Sequence, residues 1–554
     1  MTPWAIDASQ MTKIEEKNLV ITPSIKEFLY PDDRDDIFYV VAPKGIGKSL
    51  FLIYKRQLYD LKYKNAEDDT REELYLIPKD LLVDKCLDIT RYTLTKEKIE
   101  ILSDHSNNKQ IWKFCISISI IKNIEKFHSY KYLQDLIKSK NELIVKGAFS
   151  KDIKDLIDNQ NSITPGDIFN EVLNLTYNEI MDIINHQNRV SEIIRNNIRS
   201  GVAVFIDNVD QSFEDYLRSD DVHYYLYRSI WYTSQIGLIF AVHELHEINS
   251  HIKIFVSIRK EAFQKMRGVG SLGFQIRGRT LDIAYTTIQL KDIFYKNIQN
   301  TKDDLLVVSA AKKRNPIYAL FGFENNEIET LNGINEDIFS YVHRHTLKRP
   351  RDLMEMGNRI VEIDIKERND ENIKNAVNSA AYEIFRDFMA EIRPFININF
   401  NILFSLIHSN VLSRDEIKDI CGKYNQKYGC VDDECDVCDR THVFCELWNI
   451  GLLGCVVRDL INKDKFIQQF MQIGDRDYQE RMLPYSNYYL THPALIGHIR
   501  EANLRNRSEF NPMSDLIVGD GYSWKSPFMN SNEIDREIGE NESTNQIKKN
   551  VNIF

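Results

Sequence analysis

The segment that most constrains the fold of this chain is a Gly-containing turn at residues 42–49, with the sequence APKGIGKS. A β-rich apolar run at residues 37–41 precedes the turn, and a segment with helical spacing follows it from Ser49 to about Lys64. The two glycines let the backbone curl so that consecutive N–H groups point towards one place. The order of strand, Gly-containing turn and helix is typical of an α/β fold.

This turn fits the Walker A pattern in the variant that begins with Ala, and the pattern predicts a phosphate-binding loop for ATP. Lys48 would place a positive charge near the β- and γ-phosphates, and the Ser49 hydroxyl can ligate Mg²⁺. The helix that follows directs the positive end of its dipole at the same anion. The predicted nucleotide-binding residues are Lys44, Gly45, Ile46, Gly47, Lys48, Ser49 and Leu50.

Two further apolar runs predict strands of the same sheet. Residues 202–206 (VAVFI) are too short and too apolar for a surface helix, and the run ends in Asp207. Residues 252–258 (IKIFVSI) form the second, largely apolar segment, and a helical segment lies between the two. Strands that alternate with helices predict parallel pairing with helices on both faces of the sheet. Asp207 would then lie at the carboxyl edge of the sheet, where it is predicted to hold Mg²⁺ through water, as in a Walker B motif.

These motifs, taken with two later segments, resemble those of AAA+ and STAND ATPases. Residues 252–258 with Arg259 are similar to the sensor 1 strand of that family, and residues 345–353 are similar to its sensor 2 element, with a Pro-Arg pair at a helix start. The resemblance covers roughly residues 20–365 and points in particular to bacterial ATPases associated with antiviral defence. It implies Ser257 or Arg259 near the γ-phosphate, and Arg351 reaching back to the phosphates from a mobile lid.

Two of these roles have structural alternatives. Arg259 could instead pair with a surface carboxylate, and Pro in a first helical turn is also common for purely structural reasons. Many AAA+ ATPases carry Glu directly after the Walker B Asp, where it orients the attacking water, but this chain has Asn208. Asp210 is the nearest replacement, at an offset found in the STAND branch. The predicted catalytic residues are Asp207, Asp210, Ser257, Arg259 and Arg351, and slow hydrolysis is expected.

The length of 554 residues predicts roughly three to four domains. We expect a P-loop ATPase core over residues 1–290, with a helical insertion at about 65–165, and a helical lid over 291–375. A winged-helix-like domain with a Cys-rich loop is expected over 376–527. Residues 528–554 are rich in Asn, Glu and Lys and are expected to form a flexible tail.

The predicted C-terminal domain rests on the order of its elements. A first helix at 402–408 is followed by a second that Ser413 caps, with Glu416 three residues later. A third helix at 443–450, a strand from Cys455 and a returning strand at 488–490 complete a pattern that resembles a winged-helix domain, as found after the lid in origin-recognition and STAND ATPases. The third helix carries no Lys or Arg in residues 443–448, which favours a structural or regulatory role over DNA reading.

Five of the eight cysteines lie within residues 421–445, in an acidic stretch. Cys435 and Cys438 form a C-x-x-C pair, and Cys421 and Cys430 could complete a tetrahedral site for structural Zn²⁺. The alternative is a reduced acidic loop with incidental thiols.

The charge and hydropathy of the chain narrow the function classes. With 71 basic and 82 acidic residues the net charge is −11, which argues against a nucleic-acid coat or a polybasic membrane binder. No run of about 18 apolar residues predicts a transmembrane helix, and the N-terminus lacks the apolar core of a signal peptide. The cytoplasm is therefore the expected compartment.

The leading hypothesis is an ATP-binding and ATP-hydrolysing switch or motor that controls a separate effector protein, and the resemblance implies a setting in antiviral defence. The chain has no recognisable nuclease, protease or deaminase motif, so a partner would supply any toxic activity. A homo-oligomer is expected, and nucleic acid is a possible but not a favoured partner. The alternatives are a replication-initiator-like DNA-binding ATPase and a module that holds nucleotide without cleaving it.

Overall fold

The computed structural model describes most of the chain, in segments separated by gaps. The described residues are 4–5, 14–31, 35–65, 95–126, 133–146, 149–158, 164–198, 201–207, 209, 224–266, 273–330, 333–392, 396, 398–428, 443–459, 461–462, 465–471, 483–513 and 516–524. The chain divides into two compact units. The parallel-sheet unit comprises Asp7–Ala284 and Glu391–Phe395, and the C-terminal unit comprises Met1–Ile6, Tyr285–Ala390 and Ile396–Phe554.

The parallel-sheet unit is built on four strands: β1 (Tyr39–Ala42), β2 (Val202–Ile206), β3 (Ile252–Arg259) and β4 (Thr280–Asp282). They lie in the order β2-β3-β1-β4, and every pair is parallel. In register, Ala42 lies beside Arg259 and Ile206 lies beside Val256. The carboxyl ends of β1, β2 and β3 therefore meet at one edge of the sheet, and the predicted α/β class with a parallel sheet is confirmed.

The helices up to the end of this unit begin and end at the following residues: α1 Pro23–Leu29, α2 Lys48–Asn65, α3 Lys96–Leu102, α4 His105–Lys126, α5 Leu133–Lys146, α6 Lys151–Asp158, α7 Pro165–Asn174, α8 Tyr177–Asn197, α9 Tyr224–Ile248, α10 Lys260–Met266 and α11 Gly273–Arg277. Helices α3–α6 lie within residues 65–165, where the sequence predicts a helical insertion, and α7 and α8 follow before β2. Thr164 and Thr176 start α7 and α8 with capping boxes, because each hydroxyl accepts from a backbone N–H three residues later.

Helices cover both faces of the parallel sheet. On one face Phe205 and Phe255 meet Tyr59 of α2, with ring centroids 6.0 and 5.7 Å apart. On the other face the Tyr39 hydroxyl donates to the Ile239 carbonyl of α9 at 3.1 Å. Successive side chains of a strand point to opposite faces, so residues two positions after Phe205 and Phe255 return to the face that α2 covers.

The remaining elements begin and end as follows. The helices are α12 Thr287–Asn300, α13 Pro316–Phe321, α14 Ile338–Arg344, α15 Pro350–Val361, α16 Asp370–Ile392, α17 Phe400–Phe404, α18 Arg414–Tyr428, α19 Val443–Asn449 and α20 Ile496–Arg505. The strands are β5 Glu327–Glu329, β6 Asn335–Asp337, β7 Val411–Ser413, β8 Leu453–Arg458, β9 Phe466–Phe470 and β10 Tyr488–Thr491. Strands β5 and β6 pair with each other, and the other four form an antiparallel sheet in the order β7-β10-β8-β9.

Several predictions about the C-terminal part can be compared with these elements. The capping box is confirmed, since the Glu416 N–H donates to the Ser413 hydroxyl at 3.3 Å and the Ser413 N–H donates to the Glu416 carboxylate at 2.7 Å. Helix α16 is continuous across residues 375–376, where the sequence predicts a domain boundary. The predicted tail at 528–554 lies outside the described residues. In the part of the chain that the structure describes, no helix is long and apolar enough to cross a membrane.

Candidate functional site

The Gly-containing loop connects β1 to α2 at the carboxyl edge of the parallel sheet. Strand β1 ends at Ala42 and α2 begins at Lys48, so residues 43–47 make the turn. Gly45 and Gly47 have φ angles of 83° and 110°, in the left-handed region that a Cβ atom makes costly. Residues 43–47 can form this turn because Gly45 and Gly47 have no side chain. The backbone curls as the pattern predicts.

Lys48 lies over this loop. Its ammonium donates to the Ala42 carbonyl at 3.0 Å and to the Pro43 carbonyl at 3.2 Å, and the residue is only 8% exposed. The first N–H groups of a helix carry partial positive charge, and Lys48 adds a full charge at the same place. The loop is thus a cationic centre at the start of α2, a setting that favours an anion.

Asp207 follows β2 directly and is buried. Its carboxylate accepts a hydrogen bond from the Ser257 hydroxyl, near the end of the neighbouring strand β3. Asp207 and Ser257 come two residues after Phe205 and Phe255, so both lie on the face of the sheet that α2 covers. Because β3 separates β1 from β2, the loop strand and the strand of Asp207 are two strand spacings, about 10 Å, apart.

Arg259, the last residue of β3, is buried and engaged by a carboxylate. Its Nε and one terminal nitrogen donate to the two oxygens of Glu261, each at 3.1 Å. Its backbone N–H donates to the Gln235 side chain at 3.1 Å, and the guanidinium lies 5.8 Å from the ring centroid of Trp231. From the sequence, pairing with a surface carboxylate is the alternative role of Arg259. Such a carboxylate partner is present, although Glu261 is nearly buried rather than on the surface. A contact of Arg259 with phosphate stays a prediction.

A buried lysine anchors the helix that starts at the loop. Lys55, two turns after Lys48, is fully buried, donates to the Phe28 carbonyl and pairs with Asp35 at 2.6 Å. Burial lowers the pKa of Lys55 to about 8, against the opposing effect of the Asp35 charge. The ammonium also lies 4.4 Å from the ring centroid of Phe28. This cluster fastens the end of α1 and the segment before β1 to α2.

The described residues do not show three other residues of the predicted site, Asn208, Asp210 and Arg351, at this edge of the sheet. Asn208 and Asp210 lie outside the described residues. Arg351 lies in the first turn of α15, in the C-terminal unit. The turn before α15 is fixed by Asp352, which pairs with Arg349 at 2.8 Å and accepts from the Leu347 N–H at 2.9 Å. The sensor role of Arg351 stays a prediction.

The predicted zinc site falls mostly outside the described part of the chain. Cys421 lies buried in α18, whereas Cys430, Cys435 and Cys438 belong to residues 429–442, which are outside it. Among the described residues, no group of three or more His, Cys, Asp and Glu side chains is placed to hold a metal ion. The zinc prediction stays a prediction.

The arrangement at the sheet edge combines two complementary chemistries. The loop with Lys48 suits an anion such as phosphate, and the Asp207 carboxylate at the same edge of the sheet suits a hard cation that prefers oxygen ligands. Ser49 lies in the first turn of α2, and its role as a Mg²⁺ ligand stays a prediction. Glu261 and Gln235 are partners of Arg259 that were not predicted from the sequence. Glu261 could have been suspected because it stands two residues after Arg259, whereas nothing in the sequence indicates Gln235. A scan against models of protein families and a search among curated proteins found no match to this chain.

Proposed function

We propose that this chain binds ATP with Mg²⁺ and hydrolyses it, and that the cycle serves as a molecular switch. The observation that carries the proposal is the placement of the Lys48 loop at the carboxyl edge of the sheet, with Asp207 and Ser257 at the end of the adjoining strands on the face that α2 covers. A phosphate chain needs a cationic cradle, and its Mg²⁺ needs oxygen ligands beside that cradle. In the parallel-sheet unit, Lys48 supports the proposed cationic cradle and Asp207 supports the proposed oxygen ligand.

Each residue has a distinct task in the proposed reaction. The N–H groups of the loop and the Lys48 ammonium hold the β- and γ-phosphates. Ser49 and Asp207 would hold Mg²⁺, which when bound neutralises charge on the phosphates. Ser257 orients Asp207 through its hydrogen bond. Water attacks the γ-phosphorus, the bond to the bridging oxygen breaks, and ADP and phosphate are released.

The identity of the group that accepts the proton from water rests on sequence alone. Asp210 stands three positions after Asp207 in the sequence, and it is the carboxylate that we propose for this role. The buried pair of Arg259 and Glu261 supports a second task for the end of β3, because a guanidinium next to this edge can stabilise charge on the transferred phosphoryl group.

The switch function extends the proposal to partners. A γ-phosphate held by the loop and met by Arg351 would make the position of α15 depend on nucleotide, and α15 would pass the change to a separate effector protein. By its resemblance to AAA+ and STAND ATPases we propose antiviral defence as the setting and a homo-oligomer as the active form. The alternative of a DNA-binding initiator is less favoured, because Val443, Phe444 and Leu447 of α19 are buried in the unit and offer no basic surface.

Phosphate release from Mg-ATP tests the enzymatic part of the proposal. Asp207→Asn should lose Mg²⁺-dependent binding and turnover together, whereas Asp210→Asn should bind nucleotide and hydrolyse it about a hundredfold more slowly. Asp155→Asn, at an exposed position of α6, is the matched control and should behave as the wild type. No phosphate release from the wild type above background would contradict hydrolysis, and a fully active Asp210→Asn would show that another group accepts the proton.

A further inference from the structure

The side chain of Trp4 fills a pocket in the C-terminal unit. It is 2% exposed, and its ring meets Phe294 of α12 edge-on, with centroids 5.2 Å apart. The indole N–H donates to the Thr301 hydroxyl at 2.7 Å, and that hydroxyl donates onward to the Asn297 carbonyl at 2.8 Å. The one polar group of the indole is therefore satisfied inside the pocket, as a buried Trp requires.

The backbone of Trp4 is held as specifically as its ring. The Trp4 N–H donates to Oδ1 of Asn358 at 2.9 Å, and Nδ2 of Asn358 donates to the Trp4 carbonyl at 3.1 Å. The Asn358 side-chain amide thus bonds both the N–H and the carbonyl of Trp4, as the backbone of a neighbouring β-strand would. Asn358 is buried within α15, where an unpaired amide would be costly.

Gly357 makes room for the ring. A Cβ atom at this position would lie 2.0 Å from an atom of the Trp4 indole. Gly in the interior of a helix is less stable than Ala, so its place in α15 calls for a reason. The close approach of the indole supplies that reason.

The same N-terminal segment is attached at its other end to the helix of the phosphate loop. The Ile14 N–H donates to the Gln57 side chain of α2 at 3.3 Å, and Ile14 is buried. At the first end, Asn358 lies two turns after Arg351 on α15. Trp4 and Ile14 are ten positions apart in the sequence, and each is hydrogen-bonded to one of the two helices that carry Arg351 and Lys48.

We propose that Phe294, Thr301, Gly357 and Asn358 form a specific binding pocket for the N-terminal peptide of this same chain, and that its occupation regulates α15. The occupant is the peptide around Trp4 in cis, because ring, indole N–H, backbone N–H and backbone carbonyl each have a dedicated partner. The regulatory half rests on the proposed nucleotide function. The pocket itself does not depend on it.

Hydrogen exchange measured by mass spectrometry on the full-length protein tests the pocket. Trp4→Ala should raise exchange rates of the amides in residues 350–361 by about tenfold or more, since the helix loses a buried partner. Trp524→Ala is the matched control, because Trp524 packs in a separate cluster with Val456 and Phe466. It should loosen residues 453–470 and leave 350–361 unchanged. Unchanged exchange of α15 in Trp4→Ala, or an equal change in both variants, would overturn the proposal.

A double-mutant cycle tests the contact between Gly357 and the Trp4 indole, because Gly357→Ala should lower the Tm only while the indole is present. Gly357→Ala in the wild type should expel the indole and lower the Tm by about 3 °C or more. In the Trp4→Ala background the added methyl meets no ring, and the better helix propensity of Ala should keep the Tm equal or raise it. A loss of Tm of the same size in both backgrounds would overturn the assignment of Gly357 to the Trp4 pocket.

A peptide added in trans identifies the occupant. A synthetic peptide of residues 1–14 should restore slow exchange of α15 in full-length Trp4→Ala, and the same peptide with Ala at position 4 should not. Protection of α15 in the wild type should not change on dilution, because the peptide comes from the same molecule. Loss of protection on dilution would overturn the occupant in favour of a second copy, and failure of the peptide to restore protection would overturn the pocket.

The regulatory half has its own readout. Trp4→Ala should change the affinity for Mg-ATP by about threefold or more, whereas Trp524→Ala should leave it unchanged. If Trp4→Ala loosens α15 with ATP affinity unaltered, regulation is overturned and the pocket stands. If the wild type binds no ATP, the proposed function has failed, and the exchange experiments still decide the pocket.

Discussion

The Ser257 hydroxyl donates a hydrogen bond to the Asp207 carboxylate, joining the ends of two neighbouring parallel strands. Asp207 is buried, so this bond offsets part of the cost of removing its charge from water. An aspartate held by one oxygen has its orientation fixed, which is what a metal ligand requires. We propose that this bond positions Asp207. The resemblance to AAA+ and STAND ATPases separately implies a place near the γ-phosphate for Ser257 or Arg259.

Removal of the Ser257 hydroxyl should weaken the use of Mg²⁺. In Ser257→Ala the Mg²⁺ concentration for half-maximal hydrolysis should rise about tenfold, because a hydrogen bond to a charged group contributes about 1.5 kcal/mol or more. The measurement is phosphate release at a fixed ATP concentration over a range of Mg²⁺. Ser117→Ala, at a buried position of α4, should leave this dependence unchanged. An unaltered Mg²⁺ dependence in Ser257→Ala would contradict the positioning role.

Breaking the pair between Arg259 and Glu261 should destabilise the parallel-sheet unit. Glu261→Gln keeps the shape but removes a negative charge from beside a buried guanidinium, at a cost of about 3 kcal/mol. Urea unfolding followed by circular dichroism measures the change. The control is Glu247→Gln, which is exposed and pairs with the half-buried Arg279, and its effect should stay below about 1 kcal/mol. Equal losses of unfolding free energy in Glu261→Gln and Glu247→Gln would show that the buried ion pair contributes no more to stability than the partly exposed one.

Lys55 should make the stability of the same unit rise with pH. Burial lowers the pKa of Lys55 to about 8 from an ordinary 10.5. Between these values the unfolded chain binds more protons than the folded chain, so the free energy of unfolding increases as the pH rises through this window. Relative to Lys55→Met, the wild type should gain on the order of 2 kcal/mol between pH 7 and 10. Parallel pH profiles for the two proteins would contradict a lowered pKa.

His492 should make the C-terminal unit sensitive to acid. Burial, with help from Lys348, His343 and Arg344, lowers the pKa of His492 to about 3. The unfolded chain takes up a proton below about 6.5. Stability from this group is therefore complete above that pH and is lost as the pH falls towards 3, by up to about 1.4 kcal/mol per unit.

An Asn variant isolates this contribution. The His492 Nδ1 accepts from the Ala494 N–H at 3.2 Å, and His492→Asn keeps an acceptor there without the titration. Unfolding measured from pH 7 to 4 should show a shallower decline for His492→Asn than for the wild type. His251→Asn, at an exposed position, should follow the wild-type curve. A wild-type slope in His492→Asn would contradict the account.

Features that depend on neighbouring residues could be predicted from the sequence. The turn at 42–49 needs glycine at two positions, and the structure has both in the left-handed region. The cap by Ser413 depends only on a carboxylate three residues later. The strand β2 is a continuous apolar run and β3 is largely apolar, because a parallel strand with helices on both faces has little solvent-facing surface.

Features that depend on distant residues could not be predicted in this way. Nothing near Trp4 in the sequence indicates a pocket, since its partner Asn358 is 354 positions away. The pairing of Lys55 with Asp35 depends on how α2 packs against the chain before β1. The strand β4 has three residues, too few for a periodic pattern to stand out.

Binding of Mg-ATP by Lys48→Ala tests the central claim most directly. Calorimetric titration should show nucleotide binding by the wild type and an affinity lower by about a hundredfold or more in the variant, because the charge over the loop is gone. Lys62→Ala, at an exposed position of the same helix, should bind as the wild type does. A Tm within a few degrees of the wild type would show that Lys48→Ala is folded. Equal binding of Mg-ATP by the wild type and Lys48→Ala would contradict the account.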